Sequence, residues 1–181
     1  RLCSIYFMIG YMTTEQLQVV TSYVIDLEPG ARVAELGAYL GKATVAMLQA
    51  NKDIHVTAYD WFDWTPRADL GVTVNTRTGF LEQTYCYEKQ IDMIPGDFKE
   101  TLALAPDQHY DFILWDGAHS TVEKQTVIIK TIKDKLAPEA VCLVDDINLD
   151  TKIKAIENCK EEFVNMRYQP LPYNLGIFFF E

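Results

Sequence analysis

The amino-acid sequence predicts an α/β domain built around a mostly parallel β-sheet. Short apolar runs alternate with segments of helical periodicity over most of the 181 residues. Parallel strands need crossover connections of this kind, and such crossovers are right-handed. The end of the chain differs, because the β-rich runs 167–171 and 175–180 are separated by only Pro172-Tyr173-Asn174. These two runs therefore predict an antiparallel hairpin.

The elements can be placed in order along the chain. The first helix starts at the capping box Thr13-Thr14-Glu15-Gln16 and ends before Pro29-Gly30. The elements that follow are strand 32–36, helix 42–51, strand 54–59, helix 79–89, strand 91–95, helix 98–104, strand 111–115, helix 121–136, strand 140–144 and helix 151–164. Residues 61–80 lack clear periodicity and hold two tryptophans, which predicts a cap over the strand ends.

The composition limits the classes of function. With 49% hydrophobic residues, we expect a single domain over residues 1–181, with an N-terminal segment and helix at 1–30. A net charge of −10 argues against a nucleic-acid partner and favours a small-molecule substrate. The start at 1–12 is too short and interrupted to cross a membrane, so we expect a cytoplasmic protein. The first residue is Arg1 rather than an initiator Met, so we expect a trimmed or truncated start. Whether the protein forms homo-oligomers is left open.

The four cysteines are scattered along the chain. Cys3, Cys86, Cys142 and Cys159 form neither a Cys-x-x-Cys pair nor a metal-finger spacing. Cys142 also falls inside an apolar run. We therefore expect all four to be reduced, and none of them to be a nucleophile.

The most informative stretch is 32–44, where an apolar run containing Glu35 is followed by the turn Gly37-Ala38-Tyr39-Leu40-Gly41. Glycines at both ends of this turn allow a sharp bend and a close approach of the backbone to a ligand. The helix that opens near Lys42 directs free N–H groups toward that ligand. The pattern predicts a nucleotide-like cofactor, although an ordinary connection between strand and helix could use the same residues.

Acidic residues follow the second and third strands. Asp60 ends the second strand at the spacing from the glycine turn that presents a carboxylate to ribose hydroxyls. Asp97 follows Gly96 after the third strand. Ligands of doubly wound sheets bind beyond the carboxyl ends of the strands, so both acids are expected at the cofactor site.

Three more carboxylates follow the next two strands. Asp116 comes after the fourth strand, and Asp145-Asp146 come after the fifth. Carboxylates that converge at one edge need a cation, and oxygen ligands suit Mg²⁺ or a similar divalent ion. The alternative is that Asp145 or Asp146 caps the following helix and that Asp116 caps the turn at Gly117.

Two further side chains are candidates for the site. His119 lies three residues past Asp116, where its imidazole could take a proton from a substrate hydroxyl or could only brace the loop. Trp61, next to Asp60, could stack on an adenine face or fill the core of the cap.

With these residues, the chain resembles the class I S-adenosylmethionine-dependent methyltransferases. More narrowly, it resembles the metal-dependent O-methyltransferases of the catechol, caffeoyl-CoA and macrocin types, over residues 12–181. The resemblance implies a Rossmann-like fold with a seven-stranded, mostly parallel sheet of order 3-2-1-4-5-7-6. It also implies an antiparallel C-terminal hairpin and helices on both faces of the sheet.

The resemblance implies roles for the motif residues. The residues that match the cofactor motif of the catechol enzymes are Glu35, Gly37, Ala38, Tyr39 and Gly41. Asp60 takes the place of the ribose acid, and Gly96-Asp97 takes the place of the adenine contact. Asp116 is expected to contact the cofactor and the metal ion, and to act with His119 in catalysis.

The segments Asp116-Gly117-Ala118-His119 and Asp145-Asp146-Ile147-Asn148 resemble the two metal-binding segments of the same family. The chain departs from the family pattern at three positions. Asp146 stands where Asn is frequent, and His119 stands where a lysine base is found. Ala43 stands where a serine touches the cofactor carboxylate, with Thr44 one residue on.

The resemblance thus implies methyl transfer from S-adenosylmethionine to a hydroxyl of a small molecule with adjacent oxygens, assisted by Mg²⁺. Three alternatives stay open. They are a metal-independent methyltransferase, a nicotinamide-dependent oxidoreductase, and a non-catalytic binding module on the same fold. The Gly-x-x-x-Gly spacing and the terminal hairpin speak against the oxidoreductase.

Overall fold

The structure, a computed structural model, describes residues 10–63, 75–117 and 121–181. Its strands are β1 (Arg32–Leu36), β2 (His55–Asp60), β3 (Ile91–Pro95), β4 (Tyr110–Trp115), β5 (Leu136–Val144), β6 (Met166–Pro170) and β7 (Gly176–Phe180). Its α-helices are α1 (Thr14–Val24), α2 (Lys42–Ala50), α3 (Thr76–Thr84), α4 (Phe98–Thr101), α5 (Val122–Lys135) and α6 (Asp150–Glu162). Short 3₁₀ helices follow α3 at Tyr85–Gln90 and α4 at Leu102–Leu104.

The seven strands form one sheet of order β3-β2-β1-β4-β5-β7-β6. The pairs among β1, β2, β3, β4 and β5 are parallel, whereas β7 runs antiparallel to both β5 and β6. The tight turn between β6 and β7 is closed by a hydrogen bond from Leu171 N to Leu175 O at 2.8 Å. The predicted fold class, sheet order and C-terminal hairpin are therefore confirmed.

Helices cover both faces of the sheet and bury an apolar core on each. One core cluster joins the sheet to α4, α5 and α6 through residues such as Phe98, Ile128 and Ile156. The other joins it to α1 and α2 through residues such as Val20 and Met47. Among the described helices, none combines enough length with enough apolar residues to span a bilayer.

Two elements, α3 and β5, begin well before their predicted first residues. Helix α3 begins at Thr76, earlier than predicted, because the Asn75 side chain accepts a hydrogen bond from Thr78 N at 3.0 Å and caps the helix. Strand β5 begins at Leu136 and pairs there with Tyr110 before the register shifts. Sequence periodicity cannot reveal such an irregularity, because a partner strand far along the chain decides the pairing.

The expectation of four reduced cysteines is wrong for Cys86, which forms a disulfide bond. Cys142 and Cys159 are free thiols and are buried. Cys3 lies outside the described residues. The sequence argument tested only short spacings, whereas a disulfide requires proximity that the tertiary fold creates.

The turn after β1 packs directly against the end of β4. Gly37 has a φ of +96°, and a Cβ added to it would lie 2.6 Å from the backbone nitrogen of Gly117. Gly37 N also donates to Tyr59 O at 2.8 Å. Only glycine combines this positive φ with so close an approach. This contact holds the glycine turn, residues 37–41, beside the carboxyl ends of β2 and β4.

We predict that Gly37→Ala lowers the free energy of unfolding by about 3 kcal/mol, because the added methyl group must separate two backbone segments. Gly30→Ala is the matched control. Gly30 has a similar φ of +86°, but an added Cβ would meet no atom within 4 Å. It should therefore cost only about 1 kcal/mol of backbone strain. Urea unfolding followed by circular dichroism measures both changes, and equal losses would contradict the tight contact with Gly117.

Candidate active site

The carboxyl ends of the parallel strands bring the predicted acids to one edge of the sheet. Glu35 lies within β1, Asp60 ends β2, Asp116 follows β4 and Asp145 follows β5. The backbone N–H of Asp116 donates to Leu36 O at 2.9 Å, which ties the ends of β4 and β1 together. Four carboxyl groups from separate strands therefore meet beside the glycine turn.

Glu35 is the most deeply buried of these acids, with 1% of its surface exposed. The hydroxyl of Thr44 donates to its Oε2. Burial raises the pKa of Glu35 well above its ordinary value, the Thr44 hydrogen bond opposes that rise, and the charges of Asp116 and Asp60 add to it. The hydroxyl of Thr44, one residue after Ala43, is therefore directed at Glu35.

Asp60 fastens the glycine turn to the end of β2. Its Oδ2 accepts a hydrogen bond from Tyr39 N at 2.9 Å, and its Oδ1 accepts one from Phe62 N at 2.9 Å. Tyr39 has a φ of +48°, a conformation that is unfavourable for a bulky residue. Burial raises the pKa of Asp60, and the two backbone hydrogen bonds limit that rise. Both carboxylate oxygens are thus fixed in direction.

Trp61 and Asp97 are two further predicted site residues that lie near the end of β2. Trp61 has 49% of its surface exposed, so it does not fill the core of the cap. Phe62 is buried instead, with its ring centroid 5.0 Å from that of Phe80. Asp97 caps α4 through a hydrogen bond from Lys99 N at 3.0 Å. Gly96 N donates to the main-chain oxygen of Asp60 at 2.9 Å, which places the turn at 96–97 next to the end of β2.

Asp116, Asp145 and Asp146, here called the acidic cluster, lie beyond β4 and β5. Asp145 is only 5% exposed, and its side chain lies close enough to that of Asp116 for the two charges to interact. Burial, followed by the charge of Asp145, raises the pKa of Asp116 well above its ordinary value. Asp146 N donates to Asp145 Oδ1 at 2.7 Å. Within the described ranges, no three His, Cys, Asp or Glu side chains are arranged as a ready-made metal site.

Two acids of the acidic cluster do not cap helix α6. That helix begins after Leu149, which makes no side-chain capping bond, so neither Asp145 nor Asp146 caps it. The capping alternative is therefore wrong for these two acids. The N–H of Gly117 donates to Leu36 O at 2.7 Å, and the residues that follow it, 118–120, lie outside the described residues.

Two polar residues that contact Asp145 were not among the predicted site residues. Lys152 of α6 is fully buried, and its Nζ donates to the main-chain oxygen of Asp145 at 2.7 Å. Gln16 of α1 donates from Nε2 to Asp145 Oδ1 at 2.8 Å, while its Oε1 accepts from Thr13 N in the capping box. The available signal was the position of Lys152 in the apolar stripe of α6, with Ala155 and other buried residues.

Residues 10–12 lie across the glycine turn. The rings of Tyr11 and Tyr39 stand 5.2 Å apart, and Lys42 Nζ donates to Met12 O at 2.5 Å. The cavity left between this segment, Glu35 and Asp116 has a volume of about 20 Å³. That space holds little more than one water molecule. Residues 10–12, the glycine turn and Asp116 therefore leave almost no open space between them.

A larger cavity, of about 850 Å³, lies at the opposite edge of the sheet. It is lined by residues at the start of β5 and the end of β7, such as Leu136 and Phe180. None of the predicted site residues lines it. His119 and residues 64–74 of the predicted cap lie outside the described residues.

Comparisons with known proteins agree with this geometry. Residues 34–147 match the family described as methyltransferase domain, whereas no curated protein matches the sequence. The O-methyltransferase NovP is 18% identical over 94% of this chain and 81% of its own, with a TM-score of 0.74. The SAH-bound methyltransferase PaMTH1 of Podospora anserina is 14% identical over 94% and 80%, with a TM-score of 0.69. A candidate caffeoyl-CoA O-methyltransferase of Staphylococcus aureus is 15% identical over 96% and 86%, with a TM-score of 0.67.

At these identities the structural likeness establishes the fold, and the family match covers more than half of the chain. The glycine turn, Glu35, Asp60 and the whole acidic cluster lie inside the matched residues. The chain therefore belongs to the methyltransferase domain family and is a class I, S-adenosylmethionine-dependent methyltransferase.

Proposed function

We propose that this methyltransferase acts on a hydroxyl group of a small molecule, with a divalent cation held by the acidic cluster. The observation that carries the proposal is the meeting of Glu35, Asp60 and the acidic cluster around one glycine turn. Oxygen as the acceptor atom is supported by structural neighbours that are named O-methyltransferases. Membership of the family leaves no place for the nicotinamide-dependent alternative.

The glycine turn and Asp60 are proposed to bind the cofactor. The residues assigned to its methionine end are Glu35, Gly37, Ala38, Tyr39, Gly41 and Asp116. Asp60 is assigned to the ribose hydroxyls, because two backbone N–H groups already direct its carboxylate. Asp97 and the exposed ring of Trp61 are assigned to the adenine. When bound, S-adenosylmethionine supplies a methyl group on a positively charged sulfur.

The acidic cluster fits a hard divalent cation by the chemistry of its donors, which are all carboxylate oxygens. The charges of Asp116 and Asp145 repel each other, so a bound cation would offset that repulsion. A bound cation would lower the pKa of an acceptor hydroxyl and orient it. The ligands proposed are Asp116, Asp145 and Asp146.

His119 is proposed as the group that accepts the proton of the acceptor hydroxyl. Its support is its place in the sequence, three residues after Asp116. An imidazole titrates near neutral pH and is suited to this transfer. Asp116, a member of the acidic cluster whose charge also acts on Glu35, is proposed to act with His119 in catalysis.

A second candidate is methyl transfer without a metal ion. It is favoured by the buried ammonium group of Lys152, which already faces the acidic cluster. In this case the predicted cap, residues 61–80, would orient the acceptor without help from a metal ion. The two candidates share the fold, the cofactor and the reaction, so only the metal requirement separates them.

Separate variants test the two halves of the site. We predict that Asp60→Ala weakens S-adenosylmethionine binding at least about tenfold, because a buried acceptor is lost. Asp145→Ala should leave that affinity nearly unchanged but abolish methyl transfer. Isothermal titration calorimetry measures the affinity, and transfer of labelled methyl to a panel of catechols and vicinal diols measures the activity. Asp53→Ala, an exposed acid before β2, is the control and should change neither.

Equal effects of Asp60→Ala and Asp145→Ala on cofactor affinity would contradict this division of roles. Failure of the unchanged protein to bind S-adenosylmethionine would favour the non-catalytic module on the same fold.

Metal removal tests the cation. We predict that chelation with EDTA lowers methyl transfer at least about 100-fold, because the acceptor hydroxyl loses its activating charge. Added Mg²⁺ should restore the rate. Cofactor affinity, measured by calorimetry with and without EDTA, is the control and should stay constant. Undiminished transfer in EDTA would reject the cation and support the metal-independent candidate.

A further inference from the structure

Lys152 is the least expected charge in this fold. Its side chain has no exposed surface, although it belongs to a residue type that is almost never fully buried unless it is paired. It lies on the face of α6 that also carries Ala155, Ile156 and Cys159, all buried. An ammonium group in such a place loses its hydration and needs strong compensation.

Two neutral groups supply part of this compensation. Lys152 Nζ donates to the main-chain oxygen of Asp145 at 2.7 Å. It also lies 4.8 Å from the centroid of the Trp115 ring, within range of a cation–π interaction. Trp115 ends β4 and Asp145 follows β5, so the ammonium group lies at the carboxyl ends of these two strands.

The remaining compensation is ionic. The charged and titratable groups that act on Lys152 are Asp116 beyond β4, Asp145 and Asp146 beyond β5, and the buried thiol of Cys142 in β5. One ammonium group thus interacts with three carboxyl groups, and it contacts the main chain of one of them, Asp145.

A purely space-filling role does not account for this arrangement. A methionine has nearly the same length, would pack against Trp115 equally well and would carry no desolvation cost. Lys152 Nζ donates to a main-chain oxygen of the acidic cluster and interacts electrostatically with its three carboxyl groups, and a methionine could do neither.

We propose that Lys152 is a resident cation of the acidic cluster: it balances part of the cluster's negative charge, positions Asp145, and opposes the binding of a divalent ion. Lys152 is therefore a positioning residue. Its metal-related part rests on the proposed function, whereas its charge-balancing part concerns the protein without any metal.

The first experiment is a double-mutant cycle in buffer containing EDTA. Lys152→Met should lower the thermal midpoint by about 10 °C, because it leaves the buried carboxylates without their counter-ion. Adding Asp116→Asn to that variant should recover at least about half of the loss, because it removes one of the opposing charges. Lys154→Met, on the exposed side of the same helix, is the control and should shift the midpoint by at most about 1 °C.

If Lys152→Met alone fails to fold, folding of the double variant is the measurement and supports the proposal. A loss that Asp116→Asn does not reduce, or no loss at all, overturns the role as resident cation.

The second experiment compares Mn²⁺ binding by calorimetry. Lys152→Met should bind Mn²⁺ at least about tenfold more tightly than the unchanged protein, because the repulsion of a fixed positive charge is removed. Tighter binding in the variant supports opposition to the ion, and equal or weaker binding overturns it. If the cycle shows coupling and neither protein binds Mn²⁺, the metal part of the proposed function fails. The charge-balancing role of Lys152 would then stand.

Discussion

Parallel pairing of β1, β2, β4 and β5 is the constraint on which this site depends. Because these strands point the same way, the residues at their carboxyl ends meet at one edge, and here those residues are acids. Burial then multiplies their mutual repulsion, since little water screens it. Each acid has its own compensation: a hydroxyl for Glu35, two backbone N–H groups for Asp60, and a buried ammonium group for the acidic cluster.

This compensation is incomplete without a ligand, and that has a consequence for stability. Burial raises the pKa of Glu35 and Asp116, so both hold protons more tightly in the folded chain than in the unfolded chain. Their contribution to folding is most favourable below their ordinary pKa and is lost as the pH rises through the raised pKa. Ionisation of these two acids therefore lowers the stability of the folded chain, a frequent trade between stability and function.

Much of the fold and part of the site could be predicted because their signals are local. The glycine turn, the acid that ends β2 and the capping box of α1 each occupy a few consecutive residues with defined backbone geometry. Gln16 and Lys152 gave no comparable signal, because their partner Asp145 lies far away in sequence or on a different element. The disulfide of Cys86 and the early start of β5 were missed for the same reason.

The sequence by itself determined the order of helices and strands, the acids at the strand ends and the resemblance to metal-dependent methyltransferases. Periodicity and turn chemistry depend on neighbouring residues, so a single chain read in order contains them. The tertiary structure alone shows which groups compensate the charges of those acids and that Lys152 is buried among them. It also shows how residues 10–12 cover the glycine turn. These features arise from distances between elements, and burial, which sets the strength of every charge in the site, exists only once the elements have packed.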